Sequence, residues 1–278
     1  MRHSTAVCDT TLFLHGGPGL CCQAERTLYE TSLPVHWWDQ PRSVGLMARP
    51  YGDLLEFTID ELQRLATAAP VHIVAHSFGA VLALEAARRA PQCIRTLTLL
   101  APVHDVGATF VQVADALMPS RSAAQRPAVE WARNRYLAQV GDADQLLALG
   151  RAIMANPDFL DVYWAPESRD RRDGFYALMR EHTLFDLAVF EAVLRDFVLS
   201  APRPPRPVAS AFPVHVVLGR FDLAFDRRVE LPYWASCFPS ATFRTTSAGH
   251  MVQLECPPTT WLEAALGTLR QPQARRFP

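Results

Sequence analysis

The segment Ala75-His76-Ser77-Phe78-Gly79 has the residue pattern of an activated serine. A β-rich apolar run, 71–74, precedes it, and a strong helix-forming run, 80–89, follows it. A serine between small residues on such a strand-to-helix turn stands at the tip of a strained bend, where its hydroxyl can reach a substrate. Larger flanking residues would clash, because strand and helix nearly touch there. We therefore predict that Ser77 is a nucleophile.

A base and an acid that could activate this serine occur later in the chain. A serine hydroxyl is a weak nucleophile until a base takes its proton and a third group orients that base. Asp222 directly follows an apolar β-type run, and His250 follows a second run that ends near Thr246. The order serine, acid, histidine, each after a strand, is the order expected for a nucleophile elbow. The pattern predicts a triad of Ser77, His250 and Asp222.

Two other aspartates compete for the role of the acid. Asp105 follows the β-type run that ends at Leu100, and an acid can orient a histidine from a neighbouring strand. Asp105 therefore remains an alternative to Asp222. Asp226 precedes a predicted helix, and aspartate is favoured at that position, so we expect Asp226 to be a helix cap.

An oxyanion site is expected in the turn His15-Gly16-Gly17-Pro18-Gly19, which follows the first predicted strand. One donor for the oxyanion is the backbone N–H of Phe78, the residue after the nucleophile. The second is expected from Gly17, because glycines let the backbone approach a substrate closely. Pro18 has no N–H to offer, and His15 is expected to anchor the turn by hydrogen bonding.

Candidate substrate contacts come from the elbow and from a helical stretch. His76 precedes the nucleophile and is expected to line the pocket wall. Aromatic side chains suit an apolar pocket, and the alternative for each one is that it packs helices together. The candidates named for substrate contact are Trp131, Tyr163 and Trp164, from a larger aromatic set that includes Phe159, Phe175 and Tyr176.

Alternating β-type and helical runs predict the fold that must position these residues. Such alternation is typical of an α/β protein whose mostly parallel sheet is doubly wound, with helices on both faces. From about residue 103 to 205 the pattern becomes helical, and so long an excursion is not a plain loop. We predict a core of residues 1–102 and 206–278 and a helical cap, 103–205, that ends in the stiff linker 202–207. The helices predicted there are 128–140, 143–154, 175–180 and 187–199.

Composition excludes several classes of function. The formal net charge is −1, which gives no electrostatic footprint for nucleic acid or an anionic membrane. No run of about 18 apolar residues spans a bilayer, and the N-terminus lacks the apolar segment of a signal peptide. Neither metal-ligand spacing nor a dinucleotide or phosphate loop is present in the sequence. The 6 cysteines follow no disulfide framework, which favours free thiols and a cytoplasmic location.

Taken together, these motifs resemble the α/β-hydrolase superfamily. The features that carry the resemblance are the His15–Gly19 turn, an Asp39-Gln40 turn, the Ser77 elbow, Gly219-x-x-Asp222, and Gly249-His250 followed by Glu255-Cys256-Pro257. The first and second of these look most like the proline iminopeptidase group. The resemblance implies a doubly wound sheet, a helical cap and no cofactor. The chain departs from the group in a shortened N-terminus and in Pro41 after Asp39-Gln40.

In that group, cap carboxylates hold the free amine of the substrate. Possible equivalents in this chain are Glu130, Glu167, Glu181 and Glu191. The expected function is a serine hydrolase that cleaves an ester or amide of a small, largely apolar molecule through an acyl-enzyme. The alternatives are an iminopeptidase-type aminopeptidase, an acyltransferase or cyclase, a lyase or other non-hydrolytic enzyme, and a binding protein with a vestigial triad. The oligomeric state stays open.

Overall fold

Six parallel strands form the centre of the described part of the molecule. The computed structural model describes residues 10–119, 125–200 and 206–266. The strands are β1 (Thr11–Leu14), β2 (Val35–Trp38), β3 (Val71–His76), β4 (Ile94–Leu100), β5 (Val214–Gly219) and β6 (Thr242–Thr246). Their order across the sheet is β2-β1-β3-β4-β5-β6, and every described pair is parallel. The strand order reverses between β1 and β3, and the crevice at such a switch point is where parallel sheets bind ligands.

Helices cover both faces of the sheet, because the central strands are apolar on both sides. In β3, Ile73 and Ala75 belong to one buried cluster, whereas Val74 belongs to the other. The first cluster also takes in helices α2 (Pro50–Leu65), α3 (Gly79–Arg89) and α9 (Arg227–Cys237). The second takes in α1 (Gln23–Tyr29), α10 (Val252–Glu255) and α11 (Thr259–Leu266). The predicted doubly wound sheet is confirmed.

The chain between β4 and β5 is helical, as predicted for an inserted cap. Its helices are α4 (Val106–Leu117), α5 (Arg126–Ala138), α6 (Ala143–Met154), α7 (Arg169–Glu181) and α8 (Leu187–Ser200). Helix α7 begins at Arg169, before the predicted start at Phe175. Its first turns are made of Arg, Asp and Gly, so they carry no apolar stripe that sequence periodicity could detect. The domain boundaries at 102/103 and 205/206 stay predictions.

A half-buried side chain ties this helical segment to the part of the chain that forms the sheet. Asp196 of α8 accepts hydrogen bonds from the backbone N–H groups of Tyr51, at 2.9 Å, and Gly52, at 3.2 Å. These donors belong to the first turn of α2, whose N–H groups have no partner within the helix. A carboxylate from α8 therefore caps a helix of the core and holds the two parts in register.

The sequence also predicts a helix that starts near Asp53, with Glu56 as its capping-box partner, and the N-terminus of α2 differs from that prediction. The helix begins at Pro50 rather than near Asp53, with proline at a first-turn position that needs no N–H donor. The predicted capping box of Asp53 and Glu56 is wrong. Asp53 lies inside the helix and pairs with Arg49, while Glu56 binds Arg89 at 2.8 Å.

Several sequence predictions fall on residues that the structure does not describe: the thiol of Cys8, linker residues 202–205, and residues 267–269 of a final helix predicted from Thr260 to Leu269. The five described cysteines are all free, as expected. Among the described helices, none is long and apolar enough to cross a membrane.

Candidate active site

The turn after β3 places Ser77 in a strained conformation that the surrounding packing imposes. Ser77 has a φ of 51°, in the left-handed region that non-glycine residues rarely adopt. Its N–H donates to the Leu100 carbonyl at 2.9 Å, which ties the turn to β4. At Gly79, an added Cβ would lie 2.5 Å from the Leu14 carbonyl oxygen. Helix α3 thus starts in contact with β1, and only a residue without a side chain fits there.

The structure brings Ser77, His250 and Asp222 into one hydrogen-bonded chain. The Ser77 Oγ lies 2.9 Å from His250 Nε2, and His250 Nδ1 lies 2.8 Å from Asp222 Oδ2. Because a carboxylate only accepts, Nδ1 carries the proton and donates to Asp222. Nε2 is then free to accept the proton of the serine hydroxyl. The second oxygen of Asp222 accepts the N–H of Ala224 at 2.9 Å, which fixes the carboxylate.

The two competing aspartates are helix caps in this structure. Asp105 accepts the N–H of Ala108 at 2.9 Å and caps α4. Asp226 accepts the N–H of Arg228 at 2.9 Å and caps α9, as the sequence predicted. Neither makes a described hydrogen bond to His250. The contact with His250 is made by Asp222, from the loop after β5.

The glycine turn after β1 lies directly beside the serine. A Cβ at Gly16 would lie 2.9 Å from the Ser77 Cβ and 2.7 Å from the His76 Nδ1. Gly17 has a φ of 49°, and both Gly17 and Phe78 line the cavity described below. Within the described residues, neither of their N–H groups donates to another protein group. These two amides are therefore the available donors at the position predicted for an oxyanion site.

The buried side chain of His15 is hydrogen-bonded to this turn and to the Asp39-Gln40 turn. Its Nδ1 lies 2.8 Å from the Gly16 carbonyl oxygen, and the N–H of Gln40 lies 3.2 Å from its Nε2. The two contacts are consistent with a proton on Nδ1. Burial lowers the pKa of His15 to about 4, so the ring is neutral at physiological pH. The side chain thus has the contacts expected of an anchor for the turn.

A buried polar network that no sequence pattern predicted lies next to the serine turn. His76 Nε2 donates to the His250 carbonyl oxygen at 2.9 Å. The Gln253 amide donates to Glu25 at 3.0 Å and lies 3.4 Å from His76 Nδ1. Burial lowers the pKa of His76 well below its ordinary value and raises the pKa of Glu25 to about 7. No local motif signals this network, because Glu25 and Gln253 are 228 residues apart in sequence.

Ser77 and His250 open into an apolar cavity of about 170 Å³. The walls come from the glycine turn, the elbow and, for the most part, from the helical segment between β4 and β5. In the described part of the chain, no Asp, Glu, Lys or Arg side chain lines it. The aromatic and aliphatic residues of the wall include Leu20, Phe110, Ile153, Met154, Phe159, Leu160, Phe175, Phe185, Phe190 and Leu194.

The predicted substrate contacts divide between the cavity wall and other places. His76 and Tyr163 line the cavity, and their contact with a substrate stays a prediction. Trp164 is outside it, buried against Phe175 with ring centroids 5.6 Å apart, so it packs the helical segment. Trp131 is also outside it, 60% exposed beneath the Arg135 guanidinium. The prediction that Trp131 and Trp164 contact the substrate is corrected, because neither side chain reaches the cavity.

None of the four glutamates considered as amine ligands reaches the cavity. Glu130, Glu167 and Glu181 are exposed, and Glu191 forms an ion pair with Arg151 on the surface. The cysteines next to the glycine turn, Cys21 and Cys22, also lie outside the cavity wall.

Among the residues that the structure describes, one group has the donor types of a metal site. Atoms of His15, Cys22 and Asp39 lie within 4.8 Å of one another, although the three are dispersed in sequence. Each is already engaged: Asp39 binds Arg26 at 2.8 Å, and the Cys22 thiol faces the Trp38 carbonyl at 3.3 Å. The His15 Nε2 accepts the Gln40 N–H. Since Arg26 supplies the positive charge beside the carboxylate, hydrogen bonding accounts for this cluster.

The parallel sheet, its switch point and the serine turn after β3 together define an α/β-hydrolase architecture. The sequence matches the alpha/beta hydrolase family over residues 12–264, and the chain belongs to that family. It is thus an enzyme of the α/β-hydrolase class, as predicted. No curated protein matches it in sequence.

Solved structures with the same fold include a proline iminopeptidase-related protein from Thermus thermophilus. It is 23% identical, with a TM-score of 0.65 over 95% of this chain and 92% of that one. The enol-lactonase from Burkholderia xenovorans is 17% identical, with a TM-score of 0.58 over 92% and 88%. The 2-hydroxy-6-oxo-6-phenylhexa-2,4-dienoate hydrolase from a Rhodococcus species is 16% identical, with a TM-score of 0.53 over 89% and 85%. At these identities the likeness concerns the fold.

Proposed function

We propose that the protein is a serine hydrolase that cleaves esters of apolar carboxylic acids through an acyl-enzyme on Ser77. The observation that carries this proposal is the Ser77–His250–Asp222 hydrogen-bonded chain at the wall of an apolar cavity. A nucleophile, a base and an orienting acid are the parts that acyl transfer requires, in the geometry that it requires.

The proposed reaction begins when Ser77 Oγ attacks the ester carbonyl and His250 Nε2 takes its proton. Asp222 stabilises the imidazolium that forms, and the N–H groups of Phe78 and Gly17 stabilise the oxyanion. His250 then gives the proton to the departing alcohol. A water molecule, activated by the same Nε2, attacks the acyl-enzyme and releases the acid. If another nucleophile enters in place of water, the product is that of acyl transfer.

The character of the cavity supports an apolar, uncharged acyl group. Phenylalanine, leucine, isoleucine and methionine side chains make up most of the wall, and no described Asp, Glu or Arg side chain lines it. A substrate with an unpaired ammonium group would lose its hydration there without a counter-ion. This argument disfavours the iminopeptidase alternative, because the four candidate glutamates do not face the cavity.

The proposal is tested by measuring turnover of nitrophenyl esters with acyl chains of increasing length, beside a prolyl amide. We expect ester cleavage that rises with chain length until the cavity is filled, and little cleavage of the amide. Ser77→Ala should lower kcat by about 10⁴-fold or more, as the loss of a triad nucleophile does in serine enzymes. Ser43→Ala, at an exposed serine, is the matched control.

Three results would contradict the proposal. Preferred cleavage of the prolyl amide, lost in Ser77→Ala, would indicate an aminopeptidase. Turnover that survives Ser77→Ala would remove the acyl-enzyme from the mechanism. Absence of turnover on every ester, in a folded protein, would favour a non-hydrolytic role for the same site.

A further inference from the structure

The carboxylate of Glu255 bridges two chain segments that are distant in sequence. Its Oε1 accepts the N–H of Gly249 at 2.9 Å, and its Oε2 accepts the N–H of Ala165 at 2.8 Å. Gly249 belongs to the loop that carries His250. Ala165 ends a short stretch, residues 163–165, which we term the strap, in the helical segment between β4 and β5. One side chain therefore hydrogen-bonds both segments at once.

The strap touches the His250 loop through two further contacts. The backbone N–H of His250 donates to the Tyr163 carbonyl at 2.8 Å. At Gly249, an added Cβ would lie 2.6 Å from the Tyr163 carbonyl oxygen and 2.7 Å from the Ala165 nitrogen. The absence of a side chain at Gly249 is thus what lets the strap backbone lie against the loop.

The other side of the loop is equally confined. A Cβ at Gly219, the last residue of β5, would lie 1.9 Å from the Gly249 carbonyl oxygen. The N–H of Phe221 donates to the Ala248 carbonyl at 2.9 Å. The histidine loop is therefore held between the end of β5, which leads to Asp222, and the strap. Its position depends on both.

We propose that Glu255 is a positioning residue, which sets the orientation of His250 by clamping the histidine loop to the strap. This inference rests on the proposed function of the triad. Tyr163 lines the cavity and packs against the His250 ring, with centroids 5.4 Å apart. The strap therefore carries both a wall of the cavity and a support of the base. Glu255 touches neither the cavity nor Ser77, so it acts through the loop.

Two substitutions disrupt this clamp from opposite ends: one changes the carboxylate of Glu255, and the other removes the N–H donor of the strap. Glu255→Gln keeps the size of the side chain but replaces one acceptor by an NH₂ group, which then faces an N–H donor. Ala165→Pro removes the N–H that Oε2 accepts, and the proline ring, which stands where that hydrogen was, displaces Oε2 from the strap. The backbone itself suits proline, because Ala165 has a φ of −66° and Trp164 is extended, with φ −117° and ψ 145°. Glu181→Gln, at an exposed glutamate of α7, is the matched control.

The readouts are chosen to distinguish positioning from folding. Labelling of Ser77 by a fluorophosphonate counts active sites, so that kcat is expressed per folded molecule. Both Glu255→Gln and Ala165→Pro are expected to lower kcat and the labelling rate by about 10- to 100-fold, since small misplacement of a reacting group has effects of this size. KM should change less than about twofold, because the cavity wall is kept. Glu181→Gln should match the wild type.

A third readout is the low-field proton signal of His250 Nδ1 in the resting enzyme, which we expect to shift or broaden in both variants. Wild-type labelling rates in Glu255→Gln, or a lower melting temperature with unchanged kcat per site, would overturn the proposal. Loss of kcat in Glu255→Gln but not in Ala165→Pro would mean that the hydrogen bond to the strap does not position His250, which would overturn that part of the proposal. A wild type that is not labelled at Ser77 would contradict the proposed function instead, and the His250 signal would still test the clamp.

Discussion

The ends of the parallel strands and the helical segment between β4 and β5 contribute to the site in different ways. The strand ends supply Ser77, Asp222 and His250, which are held by hydrogen bonds of 2.9 Å and 2.8 Å and by close backbone contacts. The helical segment supplies most of the apolar wall and no described charged group to it. The reactive groups need fixed geometry, whereas the wall needs only shape and hydrophobicity. We infer that the residues at the strand ends determine which reaction is catalysed. The helical segment, in contrast, determines which substrates fit the cavity.

The largest expected effect tests the assignment of the acid to the strand ends. Asp222→Asn should lower kcat about 10⁴-fold, because asparagine favours the wrong tautomer of His250. Asp105→Asn should leave kcat within about threefold, since asparagine also caps a helix well and Asp105 caps α4. Steady-state kinetics of both variants measure the difference. A larger loss in Asp105→Asn would move the acid to the helical segment and break the division of roles.

A second prediction concerns Glu25, a buried acidic side chain near the strand ends. The cavity wall contains no described acidic side chain. Burial raises the pKa of Glu25 from 4.5 to about 7, so the folded state binds this proton more tightly than the unfolded state. The group therefore lowers stability as pH rises from about 4.5 to 7, by about 3 kcal/mol in total. The effect is complete above the folded pKa.

Glu25→Gln removes this titration. We expect the free energy of unfolding of the variant, relative to the wild type, to increase between pH values of about 4.5 and 7. Burial lowers the pKa of His15 from 6.5 to about 4, which contributes an opposite slope that both proteins share. Urea denaturation at a series of pH values measures the difference. A difference that does not vary with pH would mean that folding leaves the pKa of Glu25 unchanged.

A third prediction sharpens the role of the helices in substrate size. A Cβ at Gly150 of α6 would lie 2.8 Å from Phe110 Cε2, and both residues line the cavity. Gly150→Ala should therefore push the Phe110 ring into the cavity. We expect kcat/KM to fall about 10-fold for the longest good ester and to stay unchanged for the acetate ester. An equal fall for both esters would indicate damage to the reactive groups rather than to the wall.

The smallest effect is expected at Trp131, an aromatic residue of the helical segment outside the cavity. Trp131→Ala should change kcat/KM by less than about twofold and the free energy of unfolding by less than about 0.5 kcal/mol, as exposed substitutions usually do. Phe110→Ala is the comparison from the wall, and we expect it to alter chain-length preference. A large kinetic effect of Trp131→Ala would place the substrate outside the cavity.

The sequence by itself determined the order of the reactive residues along the strands and the turn that holds the serine. These are short-range features: a β-rich run, small residues around Ser77 and a helix former are neighbours in the chain, and their sterics act locally. The alternation of strands and helices likewise predicted the parallel sheet, because each element has its own periodicity. The glycine turn after β1 was predicted for the same reason.

Only the tertiary structure decided which aromatic residues face the cavity and which polar groups support His250. Tyr163 and Trp164 are adjacent in sequence, yet one lines the cavity and the other packs against Phe175. That choice depends on how the helices cross the sheet, which local periodicity does not encode. Glu25 and Gln253 likewise meet only because α1 and α10 lie on the same face. Such groups are brought together by packing between elements that are distant in the chain, and no short sequence pattern predicts these contacts.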